Sequence, residues 1–572
     1  MHIETHQRNQ TQDKLMHTDK ISAIHLIEIL IKSKVKDFII SPGSRNAPLI
    51  NELVHRKGIN LYSIPDERSA GFYALGMSLK TKRPTVVICT SGSALLNYLP
   101  AVSEAFYQNV PLIVVSSDRP FFRIDKGEGQ TIRQRGALVN FIRGEFNIPL
   151  DEKITDYSKL DKELSIAVQL SSAPVPGPVH INIEFDEPLY NSIKKYDTAN
   201  IIYHINDSVS GNNTFLSKAF IEGFNHTKKV MVLCGQMDKN TALEKILNRF
   251  SGLKNVVVLT ESTANVKGEN IIPSIDKTIL TFGENNLDFV PDLIITVGDA
   301  IISKIIKRFL RNGKPTNHWQ IHPNGVFKDT YDVLSNKITA KPELFLKQLY
   351  KRVTGIESNY NSNWLNQYKI AKKTHRDYLQ KIPFSDFKVF EFILNHIPNG
   401  SSIHIANSSP IRYQQLFEPI NNLETFSNRG TSGIDGCLST AAGFAIKHHD
   451  TTWLITGDIS FLYDSNAWWN KYRPDLKVIL INNGGGGIFR ILPGPGKIPG
   501  FETYFETHNN IDINQLCAAF DLAYFYAEDL VDLNANFKKL KRSKGISVLE
   551  IKTPRKLNAE ILTNYFKALN TK

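Results

Sequence analysis

The chain has 572 residues, 41% of them apolar, and a formal net charge of +12. That size and composition describe a large soluble globular protein with three or four domains, each with its own core. No apolar run reaches the roughly 18 residues that a membrane span needs, the first twenty residues lack an apolar signal region, and Cys89, Cys234, Cys437 and Cys517 form no CxxC pair; a membrane span, secretion, a disulfide framework and a zinc site are therefore not expected, and a cytoplasmic setting fits.

Residues 1–18 are polar and read as a disordered N-terminus. From Ile21 helices and strands alternate: a helix to Lys34, strand 37–40, the loop SPGSRNAP, strand 61–64, helix 67–79, strand 85–89, helix 94–108, strand 112–116 and a last strand at 179–183. Short apolar strands alternating with helices predict a parallel sheet. The polar stretch from Phe185 to about Ser217 reads as a linker, giving a first domain at 19–190. A second α/β unit, 191–355, carries strands at 230–234, 256–259 and 293–297 and a helix at 302–310, without the G-x-G-x-x-G fingerprint of a dinucleotide site. The third domain, 356–572, has strands at 403–406, 453–456, 476–481 and 547–551 and shares the plan of the first. GPGK at 494–497 is not a P-loop, since Ile491 and Ile498 occupy the positions of the first glycine and the Ser or Thr. The densest basic run, Lys538 to Lys544, reads as a solvated helix face, so no nucleic-acid partner is expected.

The stretch from Gly457 to Phe489 carries the chemistry. A Gly-Asp ends one apolar run and Asn-Asn ends another, with Asp458 and Asn483 25 positions apart and a crossover helix expected from Ser460 to about Tyr472. An Asp carboxylate, an Asn amide oxygen and a carbonyl from Gly484 to Gly487 are hard oxygen ligands suited to Mg²⁺, and the glycines admit a diphosphate close to the backbone. The same spacing also fits an ordinary crossover whose Asp and Asn cap helices and turns. A second set of candidates is the arginines set among Gly, Ser and Pro: Arg45, Arg119, Arg133, Arg412 and Arg429. Guanidinium forks in loops suit a bound polycarboxylate better than a phosphate backbone.

GD followed by NN resembles the metal-diphosphate signature of thiamine diphosphate enzymes. That chemistry requires a carboxylic acid against the cofactor's pyrimidine, and Glu67 in DERSAGFYALG matches the family's glutamate region, although a helix-N-terminal acid is an alternative for that motif alone. SPGSRNAPL (41–49), TSGSALLNYLPAVSEA (90–105), SSDRP (116–120), GEGQTIRQ (127–134), NSSPIR (407–412) and SNRGTSGIDGCLSTAAG (427–443) are similar, more narrowly, to the 2-succinyl-5-enolpyruvyl-6-hydroxy-3-cyclohexene-1-carboxylate synthase family. The resemblance implies three doubly wound parallel-sheet α/β domains, thiamine diphosphate with Mg²⁺ or Mn²⁺, and at least a homodimer or homotetramer, because Glu67 and the metal site come from different subunits in that superfamily. It implies decarboxylation of 2-oxoglutarate and 1,4-addition of the resulting succinyl-semialdehyde carbanion to isochorismate, in menaquinone biosynthesis. By the same resemblance Glu67, Arg45, Gln130, Arg412 and Arg429 are catalytic. Glu67, Asn407, Ser408, Ile434, Asp458, Ile459, Ser460, Asn483, Gly485, Ile488 and Phe489 bind cofactor; Asp458, Asn483 and Gly485 hold the metal; and Ser44, Arg45, Arg119, Gln130, Lys304, Arg412 and Arg429 line the substrate pocket. Ile434 is placed under the folded cofactor, where a core isoleucine in a turn is the alternative, and Ile488 and Phe489 form an apolar wall, where strand-end packing is the alternative. For Lys304 a solvated helix lysine fits equally. His448 and His449 read as exposed loop residues, and no His-His pair stands near the first-domain loops, which argues against a simple decarboxylase. An acetolactate synthase-like carboligase would need a flavin-binding middle domain and a pocket for uncharged acceptors. A catalytically silent scaffold would have been favoured by loss of Glu67, Asp458 or Asn483, and all three are present.

Overall fold

A computed structural model describes residues 16–205, 215–418, 422–492 and 494–570. The chain divides at residue 208 into two compact units. The first unit holds β1 (His17–Thr18), β2 (Asp37–Ile40), β3 (Asn60–Ser63), β4 (Thr85–Cys89), β5 (Leu112–Asp118), β6 (Glu145–Ile148), β7 (Pro178–Glu184) and β8 (Ser192–Ile193). Six of these form one parallel sheet in the order β3-β2-β4-β5-β7-β6. β1 pairs antiparallel with β8. The segment expected to be disordered to residue 18 therefore has an ordered end: His17 and Thr18 are buried, and the His17 Nδ1 lies 3.0 Å from the Glu52 carboxylate. Residues 1–15 of that expectation lie outside the described residues.

The second unit holds two parallel sheets. β9 (Val230–Cys234), β10 (Val256–Thr260), β11 (Ile271–Ile272), β12 (Leu293–Val297), β13 (Asn317–His322) and β14 (Leu334–Thr339) run in the order β11-β10-β9-β12-β13-β14. β15 (Ser402–Ile405), β16 (Glu424–Phe426), β17 (Thr452–Gly457), β18 (Leu476–Asn482), β19 (Ala523–Ala527) and β20 (Ser547–Lys552) run in the order β16-β15-β17-β18-β20-β19. The central strands are buried along their length, apart from Gly457 at the end of β17, as strands covered by helices on both faces must be. The three parallel-sheet domains of α/β class expected from the alternation are thus present. In each sheet the winding direction reverses near the centre, between β2 and β4, β9 and β12, and β15 and β17. The carboxyl ends of strands at such a reversal leave a crevice in which ligands bind.

The helix Tyr360–Leu379 explains why the second and third sheets share one unit. Tyr360, Trp364 and Tyr368 on its first turns are packed in the core of the β9–β14 sheet with Phe289 and Phe309, whereas Ala371 and Leu379 lie in the core under the β15–β20 sheet. Burying one amphipathic helix in two cores ties them together at roughly 25 cal/mol for each Å² of apolar surface removed from water.

Two helices depart from expectation. The stretch 94–108 is split into Ala94–Asn97 and Leu99–Gln108, with Pro100 in the first turn of the second piece, where its missing N–H costs nothing. The expected crossover helix over 460–472 is only Asp458–Tyr463 followed by a 3₁₀ turn, Ser465–Ala467. Asp464 stops it: its fully buried carboxylate accepts the Ser439 N–H at 2.7 Å and the Ser439 hydroxyl at 2.8 Å.

Candidate functional site

The reversal point of the third sheet opens into a cavity of about 220 Å³. Its wall includes Asn407, Ser408, Ile434, Asp458, Ile459, Ser460, Asn483, Gly485 and Phe489, together with Asp386, Phe505, Glu506 and Thr507. Nine residues singled out in the sequence as cofactor contacts are therefore gathered on one surface. Ile488 is not part of that wall; it is buried at the start of the short helix Ile488–Ile491.

The polar centre of the cavity is formed by Asp458 and Asn483, at the ends of neighbouring strands β17 and β18. Asp458 Oδ1 accepts the Ile459 N–H at 2.9 Å, while Oδ2 is buried and has no hydrogen-bond partner. Burial raises this carboxyl to about 6 against the lowering effect of N–H donors from Ile459 and Gly485. Asn483 donates from Nδ2 to Asp386 Oδ2 at 2.9 Å, and its Oδ1 is likewise buried without a partner. An unsatisfied buried polar atom costs about 1–3 kcal/mol. Two orphaned oxygens in one cavity, one from a carboxylate and one from an amide, are a donor set that fits a hard divalent cation. Ser460 donates its hydroxyl to the Ile434 carbonyl at 2.7 Å, which fixes the turn carrying Ile434.

The glycine run has a second reason besides access for a ligand. The Gly486 N–H donates to the Glu506 carbonyl at 2.5 Å, and a Cβ on Gly485 would lie 2.6 Å from that same oxygen. Gly485 also holds φ +143°. The 502–507 segment thus lies directly on the glycine loop, and it is held there by the buried Glu506 carboxylate between Arg490 and Arg555, at 2.6 Å from Arg490 Nη2 and 2.9 Å from Arg555 Nε. The Gly485 carbonyl accepts the Gly487 N–H at 2.9 Å, leaving one lone pair for a ligand.

On the rim, Ser408 adopts φ 72°, ψ −129°, a conformation that costs a non-glycine residue about 1–3 kcal/mol. Asn407 is spent within the protein: Nδ2 donates to the carbonyls of Asn428 (2.7 Å) and Gly433 (2.6 Å), and Oδ1 accepts from Arg429 Nη1 at 2.7 Å. The loop bearing Arg429 is also held from the middle sheet. Asn265 accepts the Thr425 N–H (2.7 Å) and donates to the Thr425 carbonyl (3.2 Å), imitating a neighbouring strand along β16, and Gln236 Nε2 donates to the Ser427 carbonyl at 3.0 Å. Arg412 lies on the helix Ser409–Gln414; burial pulls its pKa down and the nearby Asp276 opposes this. Lys304 is exposed at the first position of the helix Lys304–Gly313, and it is Lys307, one turn on, that is held low by burial, with Glu261 opposing and Arg429 adding to the effect.

In the first unit, Glu67 is half-buried at the start of the helix Glu67–Thr81, and burial raises its pKa while a backbone N–H works the other way. Small residues let this helix pack closely: a Cβ on Gly71 would meet Ala101 at 2.8 Å. Arg45 is buried and donates from Nη1 to the Phe185 carbonyl at 3.0 Å, with Nη2 3.1 Å from Glu187. Its pKa is lowered by burial and by the neighbouring Arg119. Arg119 reaches the Gly129 carbonyl at 3.3 Å, which brings the 127–134 loop beside it. Ser44 is exposed, as is Gln130, which has φ 55°. Arg133 is exposed and paired with Asp125 at 2.8 Å. His448, expected to be an exposed loop residue, is half-buried against Phe444 and near Thr452; His449 is exposed.

Asp386, Phe505, Glu506 and Thr507 were not found from the sequence. A Ser-Asp helix start is visible at Ser385-Asp386, but its partner Asn483 is 97 residues away.

The family model described as "Thiamine pyrophosphate enzyme, N-terminal TPP binding domain" matches residues 22–137, and "Thiamine pyrophosphate enzyme, C-terminal TPP binding domain" matches residues 409–551. The 2-succinyl-5-enolpyruvyl-6-hydroxy-3-cyclohexene-1-carboxylate synthase of Flavobacterium johnsoniae is 42% identical over 548 residues, covering 95% of this chain and 98% of its own. That of Flavobacterium psychrophilum is 43% identical over 547 residues, with the same coverage. That of Porphyromonas gingivalis is 35% identical over 568 residues, covering 96% of this chain and 97% of its own. With thiamine pyrophosphate domains matched on both sides of the middle sheet and full-length relatives of a single kind, the chain belongs to the 2-succinyl-5-enolpyruvyl-6-hydroxy-3-cyclohexene-1-carboxylate synthase family of thiamine pyrophosphate enzymes.

Proposed function

We propose that this protein decarboxylates 2-oxoglutarate and joins the remaining four-carbon unit to isochorismate by 1,4-addition, giving 2-succinyl-5-enolpyruvyl-6-hydroxy-3-cyclohexene-1-carboxylate and CO₂ in menaquinone biosynthesis. The observation that carries this reading is the full-length relationship to synthases of that name, on a chain that keeps both Glu67 and the Asp458–Asn483 oxygen pair. Thiamine diphosphate, when bound, supplies the electron sink for loss of CO₂ and for carbon–carbon bond formation.

The chain's own residues bind, orient and exclude water. Asp458 Oδ2, Asn483 Oδ1 and the Gly485 carbonyl would hold Mg²⁺ or Mn²⁺, and Ile459, Ser460 and Ser408 would help to bind the cofactor. Ile434 supports the cofactor, Phe489 closes the apolar side of the cavity, and Ile488 backs it from the core. Glu67 holds a proton toward the pyrimidine nitrogen, a role its burial favours because the protonated form survives nearer neutral pH. Both substrates are dicarboxylates, and Arg45, Arg119, Arg412 and Arg429 bind their carboxylates, helped by Ser44, Gln130 and Lys304. Desolvation makes each buried guanidinium a stronger ligand for an anion than an exposed one. Asn407 acts through Arg429. The functional unit is a homodimer or homotetramer in which Glu67 and the metal site of one centre come from different subunits, the three domains are 19–190, 191–355 and 356–572, and the enzyme works in the cytoplasm.

Purified protein is mixed with Mg²⁺, thiamine diphosphate, 2-oxoglutarate and isochorismate, omitting one at a time, and isochorismate loss is followed. Loss only in the complete mixture is expected; loss with pyruvate as readily as with 2-oxoglutarate would sink the substrate assignment. Light scattering on the eluting protein tests the oligomer.

A further inference from the structure

An asparagine is an uncertain metal ligand, because its carboxamide can present either an oxygen or an NH₂ group to the same position. At Asn483 the ambiguity is resolved by the group behind it. The Asp386 carboxylate lies 2.9 Å from one end of that amide, and an ionised carboxylate only accepts hydrogen bonds. The end facing Asp386 is therefore the nitrogen, and the oxygen is left without a partner in the cavity shared with Asp458.

Asp386 is itself held on every side. Its other oxygen accepts the Thr553 hydroxyl at 2.6 Å, and its N–H donates to Asn558 Oδ1 at 2.9 Å. Asn558 Nδ2 donates in turn to Thr553 Oγ1 at 3.2 Å, and the Thr553 N–H to the Asn482 carbonyl at 3.1 Å. Asp386, Asn483, Thr553 and Asn558 are all buried. The network joins the start of the helix Asp386–His396, the end of β18 and the segment after β20, so the carboxylate has no freedom to turn away.

We propose that Asp386 is the positioning residue of the metal site: it fixes the Asn483 amide with its oxygen toward the cation. The inference rests on reading Asp458 and Asn483 as metal ligands. A carboxylate serves here where a neutral amide would not, because both its oxygens accept and neither can invite the Asn483 oxygen to turn inward. In Asp386→Asn the new NH₂ group donates to the Asn483 oxygen: Asn483 rotates, and its own NH₂ faces the cation.

The test uses the full-length protein with thiamine diphosphate present and Mn²⁺ as the probe, its binding measured by electron paramagnetic resonance of the free ion. Asp386→Asn weakens Mn²⁺ about 10- to 100-fold, the range found when a ligand loses its orienting partner. The double variant Asp386→Asn/Asn483→Asp restores binding to within about three-fold of wild type, because an aspartate at 483 offers an oxygen whichever way it lies and the charge of the pair is unchanged. Thr553→Val, which frees the carboxylate without removing it, weakens Mn²⁺ by a smaller factor than Asp386→Asn does. It keeps the inference testable if Asp386→Asn does not fold. Unchanged affinity in Asp386→Asn, or no recovery in the double variant, overturns the proposal. Asp458→Asn separates the two levels: if it abolishes binding while Asp386→Asn does not, only the positioning role falls, and if neither variant matters, the metal-site reading falls as well.

Discussion

The Arg429 guanidinium donates from Nη1 to Asn407 Oδ1 at 2.7 Å, while the nitrogen of the same amide carries the Asn428 and Gly433 carbonyls. Every hydrogen-bonding position of that amide toward the loop is used, so Asn407 is a latch on the arginine loop. Asn407→Ala is expected to raise KM for the dicarboxylate substrates about ten-fold, a loss of about 1.4 kcal/mol, with a smaller change in kcat. Arg429→Ala and Arg412→Ala remove the cation itself and are expected to raise KM further. Unchanged KM and kcat for both substrates in these variants would remove the arginines from the pocket.

Glu67→Gln keeps the shape of the side chain and loses the ability to exchange a proton. Fold and binding of Mg²⁺ with thiamine diphosphate should be retained, and carboligation should fall by orders of magnitude. Turnover within a few-fold of wild type would take the role away from Glu67.

Glu261 is a buried carboxylate whose oxygens accept the Ile302 and Ser303 N–H groups at 2.6 and 2.7 Å, and burial raises it to about 7. Its folded value lies above its unfolded one, so the folded state binds an extra proton between about pH 4.5 and pH 7. Stability from this group is present at the acid end of that window and is lost as pH rises through it, by at most about 3 kcal/mol. The melting temperature of wild type minus that of Glu261→Gln should therefore fall between pH 5 and pH 8; a flat or rising difference contradicts the assignment.

Asn265 occupies the place of a neighbouring strand beside Thr425 on β16. Asn265→Ala should cost about 1–3 kcal/mol locally by leaving the Thr425 backbone groups unpaired. Faster hydrogen exchange over residues 424–433, with the rest of the third sheet unaffected, is the expected signature. Unaltered exchange there would show that the edge strand is held by other contacts.

The strands were legible in the sequence because buried parallel strands are short continuous apolar runs: 37–40, 85–89, 230–234 and 293–297 emerge with the ends expected of them. The cavity of the third sheet was legible for a related reason, since Asp458 and Asn483 stand at the ends of such runs and their separation follows from one crossover. What was not legible depends on distant partners. The crossover helix stops early because Asp464 meets Ser439, which no local pattern announces. Asp386 looks like any acid in a helix's first turn until β18 brings Asn483 to it. The glycine run was read as space for a phosphate, and the backbone of Glu506 lies against the same run.

The helix Tyr360–Leu379 also bears on how the protein is made. The last strand of the middle sheet ends at Thr339, yet Tyr360, Trp364 and Tyr368 of its core come later in the chain. During synthesis one face of that sheet lacks its cover until the helix has left the ribosome, and by then Ala371 and Leu379 on the same helix are offering apolar surface to the domain that follows. The middle domain finishes folding by laying the foundation of the third.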